Sequence, residues 1–201
     1  EKVPQMADTD TLFREAAVCK PAGVTLSGLV LNERGLERGL ACGVEMFCMG
    51  VSASETHSRK NTGMSPAEAL GRIIPMANQA LAAGKKTQVS VQSAFGCGFE
   101  GPVSQQKVLD IVKAYLDAGI RNISLADTAG HAQPQQVEEL FGAIHLLELE
   151  TELAKMQADL DGMNISLNTM APGSTGYEDT NRQAKRLQDD LISVYNKLDP
   201  G

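Results

Sequence analysis

Apolar residues recur along this chain in two different rhythms. Up to about residue 145, short apolar runs alternate with stretches of helical period. An Asp8-Thr9-Asp10 start precedes Leu12, Phe13, Ala16 and Ala17, which predicts a short capped helix to Val18. Gly23–Leu31 predicts a strand, and Asn32 opens a helix carrying Leu36 and Leu40 that stops at Gly43. The cycle repeats with an apolar run over Val44–Val51, a polar loop over Ser52–Gly63, and Ser65-Pro66-Ala67-Glu68, which combines an N-cap, a first-turn proline and a capping-box glutamate. That helix runs to Gly84, and Pro75 inside it predicts a kink. A third strand, Thr87–Phe95, leads through Gly96-Cys97-Gly98 to a helix from Ser104 to Gly119. A fourth, Asn122–Asp127, leads to a helix opened by Pro134 with Val137, Leu140, Phe141 and Ile144 inward.

Four strands alternating with helices predict parallel βαβ units wound right-handed, with neighbouring strands in chain order. The choice between an open doubly wound sheet and part of a (β/α) barrel stays open on pattern alone. No GxGxxG follows a strand, so the dinucleotide signature is missing. Polar residues collect just after the strands: Ser54, Glu55, His57 and Asn61, then Cys97 and Glu100, then Asp127, Thr128 and His131. In a barrel that rim binds the substrate. Four strands cannot close a barrel of eight, so two unpaired edges and an exposed apolar inner face are expected, with self-association as the remedy.

After Ile144 the rhythm changes. Leu146, Leu149, Leu153, Met156, Leu160, Met163, Leu167 and Met170 recur at steps of three and four, a heptad seam. A Pro/Gly/Ser/Thr-rich loop, Ala171–Gly176, precedes a second seam through Ala184, Leu187, Leu191, Val194 and Leu198. The pattern predicts an antiparallel coiled-coil hairpin of helices 146–170 and 178–198. Two domains follow, 1–145 and 146–201.

Composition narrows the function classes. Apolar residues make up 42% and charged residues 21%, ordinary globular usage that argues against disorder. No apolar run approaches the roughly 18 residues of a membrane span, and no signal peptide is evident, so the default placement is the cytoplasm, away from membranes. Basic and acidic residues number 13 and 15 in 1–145 but 5 and 10 in 146–201, and an acidic tail disfavours nucleic-acid binding. The four cysteines show no CxxC spacing, so neither a disulfide framework nor a cysteine metal site is indicated. Cys97 has no paired histidine or basic neighbour in sequence and reads as packing rather than as a nucleophile.

The stretch Val3–Asp8, the loop Ala53-Ser-Glu-Thr-His-Ser-Arg-Lys-Asn61, the turn Phe95-Gly-Cys-Gly-Phe-Glu-Gly101 and the strand Ile123-Ser-Leu-Ala-Asp-Thr128 together resemble the 3-hydroxy-3-methylglutaryl-CoA lyase family. The resemblance covers residues 1 to about 145. It implies a partial TIM barrel corresponding to about the third to sixth strand units of the family's eight, an interior piece whose continuation is replaced. The implied activity is that of a carbon–carbon lyase: retro-aldol cleavage of an acyl-CoA substrate, 3-hydroxy-3-methylglutaryl-CoA, into acetyl-CoA and acetoacetate with a divalent cation, magnesium or manganese.

Matched residue by residue, the resemblance implies substrate contacts for Asn61 and Ser124 and a catalytic or positioning role for Asp127. Asp127 also has a plainer reading, as an Asp that ends its strand by binding the backbone of the next turn. The family's His-x-His metal pair occurs nowhere in this sequence, nor do its Arg-Asp first-strand motif and Gly-Gly-Cys-Pro lid. No metal ligands are therefore assigned, and activity of this chain alone is not expected. The alternatives are an interaction or oligomerisation module acting through the hairpin, and a chimeric chain without evolved function.

Overall fold

The structure, a computed structural model, describes residues 4–198. It divides into two compact units, Glu1–Glu138 and Glu139–Gly201. The first begins with a 3-10 turn (Pro4–Met6) and α1 (Thr9–Cys19), followed by β1 (Ser27–Leu29), α2 (Glu33–Cys42), β2 (Met46–Ser52), α3 (Glu55–Thr62), α4 (Pro66–Ala82), β3 (Lys86–Gln92), α5 (Gln105–Asp117) and β4 (Ile123–Leu125). The strands form one sheet in the order β1-β2-β3-β4, every neighbouring pair parallel, as the alternation predicts.

The two faces of the sheet differ in chemistry. Phe47, Met49 and Val51 on β2, with Thr87, Val89 and Val91 on β3, are buried. Leu36 of α2, Ile73, Met76 and Ala77 of α4, and Val108, Val112 and Tyr115 of α5 are buried too. Each large side chain so covered contributes about 1.5–3 kcal/mol. Gly39 lets α2 lie close on β2, because a Cβ there would stand 2.5 Å from the Phe47 ring.

On the opposite face the register sets Cys48 beside Gln88, Gly50 beside Ser90, and Ser90 beside Ser124, all half-exposed. With Lys86, Gln92 and Asn122 also at this parity, the inner face is mainly polar, which corrects the expected apolar one. The physical cause is the period-2 pattern: β2 and β3 send Phe47, Met49, Val51, Val89 and Val91 to the helix layer, and of the large apolar strand residues only Leu29 and Met46 share the inner parity.

Other differences are local. The segment expected as a polar loop contains α3, which the apolar period could not reveal because the helix is polar on nearly every side. Ser54 caps it by accepting from His57 N, Arg59 pairs with Glu55 at 2.6 Å, and Gly63 ends it at φ 76°, a left-handed conformation that costs glycine little. Strands β1, β3 and β4 are shorter than the apolar runs that predicted them. The capping box of α4 forms, and Pro75 sits inside that helix without ending it. Asp8 precedes α1 but makes no side-chain cap bond.

The helices expected as 134–144 and 146–170 are one, α6 (Pro134–Thr169), with no break at 145–146. After residues 170–174, the second unit continues with α7 (Thr175–Leu198). Leu153, Met156, Leu160, Met163 and Leu167 are shielded relative to their helix flanks, and Ile165 between them is 68% exposed. On α7, Ala184 and Val194 are buried and Leu187 and Leu191 half-buried. Leu146 is 49% exposed and lies off the seam it was expected to join. Among the described residues, no helix is long and apolar enough to cross a membrane.

Candidate functional site at the strand ends

Polar groups converge where β2 and β3 end. Ser52, Ser54 and Ser93 are buried. The Ser52 hydroxyl accepts from Ser54 N at 3.1 Å and donates to Ser93 Oγ at 3.4 Å. Ser54 Oγ accepts from His57 N at 3.0 Å and donates to Cys97 Sγ at 3.0 Å. Ser93 has φ 55°, unusual for a residue with a side chain, and its amide donates to Thr128 Oγ1 at 2.8 Å, which ties the end of β3 to the loop after β4.

The loop after β3 folds on itself through reciprocal Cys97–Gly101 backbone bonds of 2.8 Å and is clasped onto α3. Glu100 Oε1 accepts from Thr56 N at 2.6 Å, and Lys60 Nζ stands 3.9 Å from the centroid of the Phe99 ring. With the Ser54–Cys97 bond, three separate contacts hold the two loops together. The hydrogen bond from Thr56 holds the Glu100 carboxyl below its ordinary range. Burial pushes the Cys97 thiol up, but bonds from Ser54 and the amides of Phe99 and Glu100 outweigh it, and the thiol ends below its usual value. Among the described residues the Cys97 sulfur takes its hydrogen bonds from Ser54 Oγ and the Phe99 amide rather than from a histidine, which fits the packing reading.

Asp127, just past β4, is exposed and turned toward its own loop. Oδ1 accepts from His131 N at 2.8 Å and Oδ2 from Ala132 N at 3.0 Å, and the Ala132 amide leads the groups that hold its carboxyl below the ordinary value. Ser124 is half-buried on the inner face, its Oγ 3.5 Å from Val89 O. Asn61 is exposed in the last turn of α3. No hydrogen bond joins these three among the described residues. A cleft of about 330 Å³ lies at the same end, where Ala53 and Glu55 meet Ser65 and Leu70 of the α4 start and Lys107 and Ile111 of α5.

Among the described residues, no cluster of three His, Cys, Asp or Glu could hold a metal ion. With both oxygens of Asp127 taken by backbone amides, the donors present do not fit a divalent cation. The clasp of Glu100, Ser54 and Cys97 escaped sequence reasoning because its partners are over forty positions apart; the only signal was polar residues just past two strands.

The family model described as HMGL-like matches residues 2–154. The chain belongs to the HMGL-like family. Its HMGL-like part is 40% identical over 142 residues to the hydroxymethylglutaryl-CoA lyase YngG of Bacillus subtilis, a match covering 71% of this chain and 47% of that protein. The mitochondrial hydroxymethylglutaryl-CoA lyase of Rattus norvegicus is 32% identical, with 71% and 43% covered.

Among solved structures, the HMG-CoA lyase of Bacillus subtilis superposes with TM-score 0.64 and 36% identity over 68% of this chain and 45% of that one. A lyase from Acinetobacter baumannii, in complex with coenzyme A and 3-methylmalate, gives 0.65 and 30% over 74% and 48%. The four parallel βα units are thus a partial TIM barrel, followed by a C-terminal helical segment. The chain spans about half the length of the curated relatives it matches.

Proposed function

We propose that the HMGL-like part is the acyl-CoA-binding portion of a 3-hydroxy-3-methylglutaryl-CoA lyase barrel, with its domain boundary near 145, and that this chain alone does not perform the cleavage. The observation that carries the reading is the clasped polar rim at the carboxyl ends of four parallel strands, the place where barrels of this kind bind substrate. Ser124 on the inner face and Asn61 on α3 contact the acyl-CoA. Asp127 positions the loop after β4, holding 130–132 through its two carboxylate bonds, and meets the substrate from that loop.

The relatives are named hydroxymethylglutaryl-CoA lyases, and the reaction that the resemblance implies is retro-aldol cleavage to acetyl-CoA and acetoacetate. In such a lyase a divalent cation, magnesium or manganese, polarises the substrate oxygens. The described residues do not assemble its ligands, so no step is assigned through it here. The open strand edges favour self-association of the chain. A second reading, an interaction module working through the C-terminal helices, draws on the shielded seams of α6 and α7 paired as an antiparallel coiled coil. A cytoplasmic setting is part of this reading.

Saturation-transfer NMR with 3-hydroxy-3-methylglutaryl-CoA tests the binding reading. Weak saturable transfer to the acyl-CoA is expected, reduced in Asn61→Ala and in Ser124→Ala. No transfer at millimolar ligand, or transfer unchanged in both variants, defeats it.

A further inference from the structure

The loops after β3 and β4 meet at an imidazole. Ser93 N donates to Thr128 Oγ1 at 2.8 Å and Ala94 N to Ala126 O at 3.1 Å, so the two loops leave the sheet joined. Beyond that junction His131 lies against Gly96: a Cβ built on Gly96 would stand 2.7 Å from His131 Nδ1, 3.1 Å from its Cβ and 3.2 Å from its Cγ. Gly96 also has φ 146°, which residues with a Cβ rarely adopt. Position 96 is therefore closed to other side chains on two counts, and the imidazole fills the space that a methyl would take. On its own loop, His131 N and Ala132 N donate to the two oxygens of Asp127 at 2.8 Å and 3.0 Å. Asp127 thus fixes the backbone that carries the ring, and Gly96 seats the ring itself.

The Asp127 bonds already suffice to close the turn, so the seating of the ring is additional to it. His131 is nonetheless exposed. The Cγ–Nδ1 side of the imidazole is nearest Gly96, and Nε2, the ring atom opposite that bond, is farther away. Asp127 has both oxygens on backbone amides, and among the described residues no hydrogen bond is made to the imidazole. A ring N–H held in this way, neutral or protonated, is a donor for an anionic oxygen. Its prior orientation reduces the entropy lost when a ligand binds.

We propose that His131 is a substrate-contacting residue of the rim, its Nε2–H donating to an anionic oxygen of the acyl-CoA. The inference rests on the acyl-CoA-binding reading above and adds a residue to it. That ligand carries two kinds of anionic oxygen, the carboxylate of the acyl group and the phosphates of coenzyme A, and the donor chemistry is the same for both.

Imidazole proton–nitrogen correlation spectra of the full chain, titrated with 3-hydroxy-3-methylglutaryl-CoA at fixed pH, test it. The three histidines are His57, His131 and His145, and His131→Ala assigns the resonances in question. The His131 Nε2 signals are expected to move saturably while those of His145, in the second unit, stay in place. By saturation transfer the Kd should rise about tenfold in His131→Ala. Movement with coenzyme A alone places the acceptor on its phosphates, and movement with free 3-hydroxy-3-methylglutarate places it on the carboxylate; either supports the contact. His131 signals that stay fixed while transfer saturates, or an unchanged Kd in His131→Ala, keep the acyl-CoA reading and overturn the contact. Equal movement of His131 and His145 means diffuse attraction and overturns it too. No transfer to the acyl-CoA from the parent chain overturns both.

Discussion

Ser54 does two jobs at the rim: it caps α3 and it bonds the buried thiol of Cys97. Ser54→Ala should cost about 1–2 kcal/mol, read as a lower urea midpoint with unchanged slope, since it strips a cap and leaves buried partners unmatched. Glu100 makes the clasp pH-dependent. Its carboxyl is held below the ordinary value of 4.5 by the bond from Thr56. A carboxylate with a depressed folded-state pKa adds stability that is full above its unfolded value and is lost as pH falls through the folded one. Thermal melts from neutral pH into the acid range should therefore show Glu100→Gln falling short of the parent at neutral pH and converging with it in acid. A constant gap across that range would contradict the clasp. At this scale the sequence was partly legible. Asp127 could be placed after a strand with two candidate roles, and the structure shows its turn bonds. The pairing of Glu100 with Thr56 is a tertiary fact without a local pattern.

Between the elements, β2 approaches β3 closely at Gly50, where a Cβ would stand 2.0 Å from Ser90 Oγ and 2.8 Å from Ser90 O. Gly50→Ala should destabilise by about 1–3 kcal/mol through forced backbone shift. Gly71→Ala, in α4 with nothing within 4 Å of the added methyl, should instead stabilise by about 1 kcal/mol. Equal effects in the two variants, measured by denaturant titration, would mean that the close approach is absent. On α6, Leu153→Asp with Leu160→Asp places charge in the shielded seam and should lower helicity by circular dichroism, whereas Ile165→Asp, on an exposed flank, should not. Elements with a strong apolar rhythm, such as α4, α5 and the α7 seam, could be read directly from the sequence. Helix α3 could not, because its stability comes from Ser54, Gly63 and an Arg59–Glu55 pair rather than from a buried stripe. Nor could the continuity of α6, because a change of apolar period need not break the backbone ladder.

For the whole molecule, the parallel order of four strands follows from alternation and the handedness of crossovers, and it was legible. The polarity of the inner face was not read correctly, although the alternating Lys86, Gln88, Ser90 and Gln92 were there to be seen. The alternation alone does not tell which parity meets the helix layer, and that assignment needs the tertiary packing. That polarity, together with the coverage of about half of each lyase, underlies the proposed function, a rim that holds an acyl-CoA without the groups that cleave it. Removing one positioned electrostatic group from an enzyme typically costs about a hundredfold or more in rate, and among the described residues no group of three His, Cys, Asp or Glu is assembled to hold the cation. The most direct measurement is acetoacetate release from 3-hydroxy-3-methylglutaryl-CoA by the purified 201-residue chain with added magnesium or manganese. No release above background is predicted. Turnover that disappears in Asp127→Ala would contradict the proposed function.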